Sequence, residues 1–154
     1  MIAFVCRIAP RALFGVLLTS YLLAADVPRA EHPRPDLART DWQTLNGSWE
    51  FEFDDADKGQ TERWHAGNRK FSKKILVPYC FQSKLSGIGD PAFHDVVWYR
   101  RPLQVPDTWR SRRVMLHFGA VDYEATVWVN GDFAGSHRGG HVSFSLDITD
   151  HLKP

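Results

Sequence analysis

Acid–base chemistry on a polar substrate calls for paired carboxyl groups, and the strand-like parts of this chain carry three glutamates, Glu50, Glu52 and Glu124. Glu50 and Glu52 alternate with Trp49, Phe51 and Phe53, and Glu124 opens the run Ala125-Thr126-Val127-Trp128-Val129. A two-residue period puts such carboxylates on the wet face of a strand. They are therefore read as solvated positions. A different set of polar groups gathers in the stretch 81–95: Ser86-Gly87, Gly89-Asp90-Pro91 and His94-Asp95. Carboxylates that can hold hydroxyls, beside ring faces and on a glycine-flexible loop, suit a hydroxyl-rich ligand. The plainer reading of the same residues is a surface loop that rests against another domain.

Two other pairings have weaker chemistry. His137 and His141 stand four apart, a metal-ligand spacing on a helix, but Gly139-Gly140 between them indicates a turn into the next strand. Cys80 and His94 lack an orienting third group for nucleophilic work, so Cys80 is expected to be a buried structural thiol.

The elements that position these residues are strands. Val96-Val97-Trp98-Tyr99-Arg100-Arg101, Val114-Met115-Leu116-His117-Phe118 and Ala125-Thr126-Val127-Trp128-Val129 are apolar, β-branched and aromatic runs separated by turn residues. Asn130-Gly131 tolerates positive φ at both positions, which predicts a two-residue type I′ hairpin folding 132–134 back on 126–128. Strands are also expected within 42–53, over 73–77 up to Pro78, and near 144–148, with Leu103-Gln104-Val105 at an edge between Pro102 and Pro106. Trp49, Trp98 and Trp128 fall in alternating patterns and belong to the core; Trp42, Trp64 and Trp109 lie near turns, where a ring can stack on a sugar, with core or interdomain packing the favoured reading. Seven or so strands and no amphipathic helix indicate an all-β sandwich.

The series WYRR, VPDTW, LHFGAVDYEATVWVNG, GSHRGG and FSLDIT, preceded by Leu45-Asn46-Gly47-Ser48-Trp49-Glu50-Phe51, resembles the N-terminal sugar-binding domain of glycoside hydrolase family 2. That resemblance implies a jelly-roll β-sandwich (galactose-binding-domain-like) over 41–154 with its last strand or strands missing. It also implies a parent reaction, retaining hydrolysis of a terminal β-glycoside, in which two glutamates about 5–5.5 Å apart work from a β/α barrel downstream. No catalytic residue, cofactor or metal is assigned within this chain, which is expected to be inactive alone. Its partners would be the β-glycoside held by the whole enzyme and downstream immunoglobulin-like and barrel domains. The candidates for the carbohydrate rim are Ser86, Asp90, His94 and Asp95. Galactoside, glucuronide and mannoside all fit. The alternatives are a stand-alone carbohydrate-binding module or an interdomain scaffold.

The remainder of the chain sets its context. Arg7 and Arg11 precede an apolar run of about a dozen residues, 12–23, followed by Ala24-Ala25, the pattern of a secretory signal peptide over 1–25 and of a secreted or periplasmic product. On that reading the leader is not part of the fold. It takes two of the 19 basic residues and none of the 18 acidic ones, moving the net charge from +1 to −1. A near-neutral surface argues against nucleic acid or an anionic membrane as the main partner. About 129 residues remain, enough for one core. Residues 26–40, with Pro28, Pro33 and Pro35, read as an extended lead-in, and Asn46-Gly47-Ser48 fits a glycosylation pattern. A sandwich short of a strand exposes unpaired backbone, which predicts marginal stability and a tendency to associate.

Overall fold

A computed structural model describes residues 1–7 and 27–153. Among the described residues, eight strands form: β1 (Ile2–Arg7), β2 (Gly47–Phe53), β3 (Lys73–Val77), β4 (Val97–Arg101), β5 (Met115–Phe118), β6 (Glu124–Val129), β7 (Asp132–Arg138) and β8 (Phe144–Asp147). They make an antiparallel six-stranded sheet in the order β3-β2-β4-β1-β6-β7, and a two-stranded sheet of β5 and β8. Short 3-10 turns are the only helical pieces among the described residues. The all-β sandwich expected from the strand pattern is what forms.

Alternation in each strand decides which layer its side chains enter. Trp49, Phe51, Ile75, Val97, Tyr99, Val127 and Val129 face the β5–β8 sheet and meet Leu116, Val114 and Ile148 in the main core. The opposite face of the large sheet is also covered. Trp98, Trp128 and Val5 pack there with Trp64 and Phe71, both from the 54–72 connection. Trp98 and Trp128 stack at 5.2 Å, and His65 stacks on Trp128 at 4.9 Å. Trp64 is thus a core residue, whereas Trp42 takes an edge contact from His32 and Trp109 lies half-buried against the main core.

That second layer corrects the reading of Glu50 and Glu52 as simply solvated. Glu50 reaches Arg100 at 2.7 Å, and the Arg100 guanidinium lies 4.1 Å over the Phe71 ring with a side chain only 6% exposed. Glu52 accepts hydrogen bonds from the backbone N–H and hydroxyl of Ser72. Glu124 pairs with Arg138 across the β6–β7 hairpin at 3.1 Å. All three point away from the main core, as alternation requires, and find partners there: Arg100 of β4 for Glu50, Ser72 of the 54–72 connection for Glu52 and Arg138 of β7 for Glu124.

The hairpin at Asn130-Gly131 forms as its turn residues predict, with φ of 54° and 92°. Val129 faces Asp132 and Trp128 faces Phe133, after which a bulge shifts Val127 opposite Gly135. Gly135 lies just past this shift, where a Cβ would stand 2.6 Å from Leu146 of β8. The 103–105 segment, expected at an edge, is not in a strand.

The largest departure from the sequence reading is β1. Ile2–Arg7, expected outside the fold as the start of a leader, lies in the middle of the large sheet, antiparallel to β4 and β6 at once. Ile2, Phe4 and Cys6 enter the main core, and Ala3 and Val5 are buried on the other face. A segment apolar at consecutive positions suits a strand covered on both faces, so the composition of a leader's start and of a central strand is the same. β1 thus joins β4 to β6 through a ladder on each side. Residues 8–25 of the expected leader, including its apolar run, lie outside the described residues. The lead-in is tied down by Asn46, whose amide donates to the carbonyls of Pro28 and Arg29 at 3.1 Å each.

Candidate functional site

The loop between β3 and β4 is built by its own short hydrogen bonds. Ser83 caps a 3-10 turn, Lys84–Ser86, by accepting from the Leu85 N–H, and Gly87 leaves that turn at φ 81°. Ser86 is 1% exposed, and its hydroxyl donates to the Ser83 carbonyl at 2.7 Å and accepts from the Ile88 N–H at 3.1 Å. A hydroxyl turned inward and satisfied in this way supports the loop and does not face a ligand. Of the four rim candidates, Ser86 is thus a positioning residue.

Asp90 and His94 do come together. Asp90 Oδ1 accepts from the Ala92 N–H, which curls the loop, while Oδ2 stands 3.7 Å from His94 Nε2. The imidazole lies flat on Phe53 at 3.6 Å between ring centres and takes the edge of Phe81 at 5.6 Å. Its Nδ1 is 2.7 Å from Asp55 Oδ1, a carboxylate on the turn that follows β2. His94 is thereby held between two carboxylates on an aromatic floor, with a side chain 11% exposed against 63% for Asp55 and 40% for Asp90. Nδ1–H donating to Asp55 fixes the ring, as a carboxylate partner does for histidine generally. Asp95 is exposed at the end of the loop and Phe93 beside it is 46% exposed.

What this arrangement offers to a ligand is carboxylate oxygens on Asp55, Asp90 and Asp95, with the Phe93 ring close in sequence to Asp90 and Asp95. These are acceptors for hydroxyls and a face for C–H groups. Asp55 was missed by the sequence reading, because it stands 39 residues from His94 in a polar turn with no motif of its own.

Other candidates fall differently. His137 stacks on Phe144 at 4.4 Å within β7, while His141 is exposed beyond the strand. Cys80 is exposed, contrary to the buried thiol expected; the buried thiol is Cys6, which donates to the Asp122 carbonyl. Burial pushes the Cys6 thiol up to about 12, with the Asp122 charge adding to the shift. A cleft of about 320 Å³ lies away from the loop, near Met1, Val105, Arg110, Arg112, Asn130 and Leu152. Its arginines already have carboxylate partners, Asp107 for Arg110 and Asp41 for Arg112.

Comparison with known proteins places this architecture. Residues 42–154 match the family described as "Glycosyl hydrolases family 2, sugar binding domain". A β-glucuronidase of Paenibacillus borealis is 34% identical over 120 residues, covering 76% of this chain and 20% of that protein. A β-galactosidase of Thermoanaerobacter pseudethanolicus is 31% identical over 117 residues, covering 73% and 14%. The solved structure of a Lactobacillus rhamnosus β-glucuronidase superposes with a TM-score of 0.64 at 32% identity, over 72% of this chain and 19% of that one. The chain thus spans about a fifth or less of the length of these relatives. With the family model matched over residues 42–154, the chain belongs to the sugar-binding domain family of the family 2 glycosyl hydrolases.

Proposed function

We propose that this chain is the non-catalytic N-terminal domain of an exported family 2 enzyme that hydrolyses a terminal β-glycoside. The match over 42–154 carries the reading, since the relatives named above are β-glucuronidase and β-galactosidase. The non-catalytic role is supported by the glutamates. Glu50, Glu52 and Glu124 are each engaged with Arg100, Ser72 or Arg138, in place of facing one another across a substrate-sized gap. Export is supported by Arg7, Arg11 and the apolar run 12–23. The loop carrying Asp90, His94 and Asp95, braced by Asp55, is the part that would approach a sugar or a neighbouring domain.

The test is to assay the chain against nitrophenyl β-glucuronide, β-galactoside and β-mannoside and, in parallel, to titrate the free sugars calorimetrically. No turnover and no measurable heat are expected from the chain alone. Turnover that persists through purification would overturn the non-catalytic role. Saturable heat with one sugar, abolished in Asp90→Asn, would instead support a stand-alone carbohydrate-binding module. Export is checked by N-terminal sequencing of the product secreted from its own host: a start near Ala25 supports it and an intact Met1 opposes it.

A further inference from the structure

His94 joins two parts of the chain that lie far apart in sequence. It belongs to the β3–β4 loop, and its Nδ1 stands 2.7 Å from Oδ1 of Asp55 on the turn after β2. An ionised carboxylate only accepts, so the proton between them sits on Nδ1. In the neutral imidazole Nε2 is then an acceptor. That nitrogen is buried and without a hydrogen-bond partner among the described residues. It faces Asp90 Oδ2, a second acceptor, at 3.7 Å. Lone pairs meet across that gap, and no hydrogen lies between them.

The ring is held in its plane. It lies on Phe53 at 3.6 Å and 16° from parallel, and the edge of Phe81 closes its side. The charged groups around it come from several elements. They are Asp55, Asp90 of its own loop, Asp95 next to it in sequence, and Lys73 of β3, whose ammonium stands 5.7 Å from the Phe53 ring centre. Asp54 is turned elsewhere, accepting from the N–H groups of Lys58 and Gly59 and from Trp98 Nε1. Asp90 is fixed through its other oxygen, since Oδ1 accepts from the Ala92 N–H. One added proton therefore changes one contact: Nε2 becomes a donor, and Asp90 Oδ2 is the acceptor it faces.

We propose that His94 is a proton-operated clasp, which on protonation bridges Asp55 and Asp90 and fastens the β3–β4 loop to the turn after β2. Closing it brings Nε2 and Oδ2 from 3.7 Å to a charge-assisted bond of about 2.8 Å. Histidine gains and loses its proton between about pH 5 and pH 8. The clasp is closed at the acid end of that range and opens as pH rises. It concerns the order of the loop and not what the loop meets, so its failure would leave the family reading untouched.

Amide hydrogen exchange of the whole chain tests this, read by mass spectrometry at pH 5 and pH 8 and corrected for the intrinsic pH dependence of exchange. The loop peptide contains Asp90 and Ala92, whose N–H groups bond to the Phe81 carbonyl and to Asp90 Oδ1. Its protection should be about fivefold greater at pH 5, the effect of one charge-assisted bond partly screened by water, with peptides of β6 unchanged. His94→Phe keeps a ring on Phe53 and should abolish the difference. Asp90→Asn sets an amide donor against Nε2 without any added proton, so its loop at pH 8 should be as protected as that of the unaltered chain at pH 5. Equal loop protection at the two pH values in the unaltered chain would overturn the proposal. So would a difference that persists in His94→Phe, that is unchanged in Asp90→Asn, or that β6 shares to the same degree.

Discussion

The rings of Phe4 and Tyr99 lie face to face, 4.3 Å apart and 5° from parallel, across the β1–β4 ladder. Phe4 also takes edge contacts from Trp49 at 5.6 Å and Phe118 at 5.7 Å, so a residue from the extreme N-terminus joins both sheets of the sandwich. Burial pushes the Tyr99 hydroxyl well above its ordinary range, as expected for a phenol inside this cluster.

Phe4→Ala should therefore behave as a core truncation. A loss of about 3–5 kcal/mol is expected, from lost transfer energy and the cavity left behind. Urea denaturation followed by tryptophan fluorescence measures it, with the exposed Val142→Ala as a control expected to be near neutral. A Phe4→Ala midpoint equal to that of the control would mean that β1 does not hold the sheet.

Gly59 should resist any side chain. Asp54, 3% exposed, accepts from the N–H groups of Lys58 and Gly59 and from Trp98 Nε1, and so fastens the 54–72 connection to β4. A Cβ on Gly59 would overlap the Trp98 indole and come within 2.7 Å of Asp54 Oδ2. Gly59→Ala is expected to cost about 1–3 kcal/mol through overpacking. A red shift of the folded-state tryptophan emission should accompany it as Trp98 is displaced.

Glu50 and Arg100 should act as a unit. Arg100 is buried with Nη1 unpartnered among the described residues, so Glu50 is the carboxylate that balances it. Because the Glu50 side chain is 43% exposed, water screens part of the pair, and Glu50→Ala is expected to cost about 1–3 kcal/mol. Adding Arg100→Met should recover much of that loss, since an apolar pair removes the uncompensated charge. Additive losses in the double variant would refute the coupling.

Asp147 gives the fold an acid-side dependence. Its carboxylate accepts from the Thr149 hydroxyl and N–H and is paired with Arg113, and these hold its pKa down at about 2. The depressed value means that the contribution is complete above the ordinary carboxylate range near 4 and is lost as pH falls towards 2. Thermal unfolding measured from pH 5 to pH 2 should show a stability decline that is shallower in Asp147→Asn. Parallel curves for the two proteins would exclude this origin.

Local chemistry determined much of the molecule. Asn130-Gly131 can adopt positive φ in succession, so the β6–β7 hairpin follows from two residues. The alternation of Trp49, Phe51 and Phe53 with Glu50 and Glu52 determined which faces of β2 are apolar, and Pro78 marked the end of β3. Tertiary structure decided what periodicity does not encode. Whether Ile2–Arg7 leads the chain out or completes a sheet depends on β4 and β6, about 90 and 120 residues away, because apolar residues in succession suit either fate. Likewise, no spacing joins Asp55 to His94 or Glu50 to Arg100. Those pairs exist because the turn after β2 meets the β3–β4 loop and because β2 lies beside β4. The sheet's order thus sets which charges meet, and the sequence alone sets only which faces they occupy.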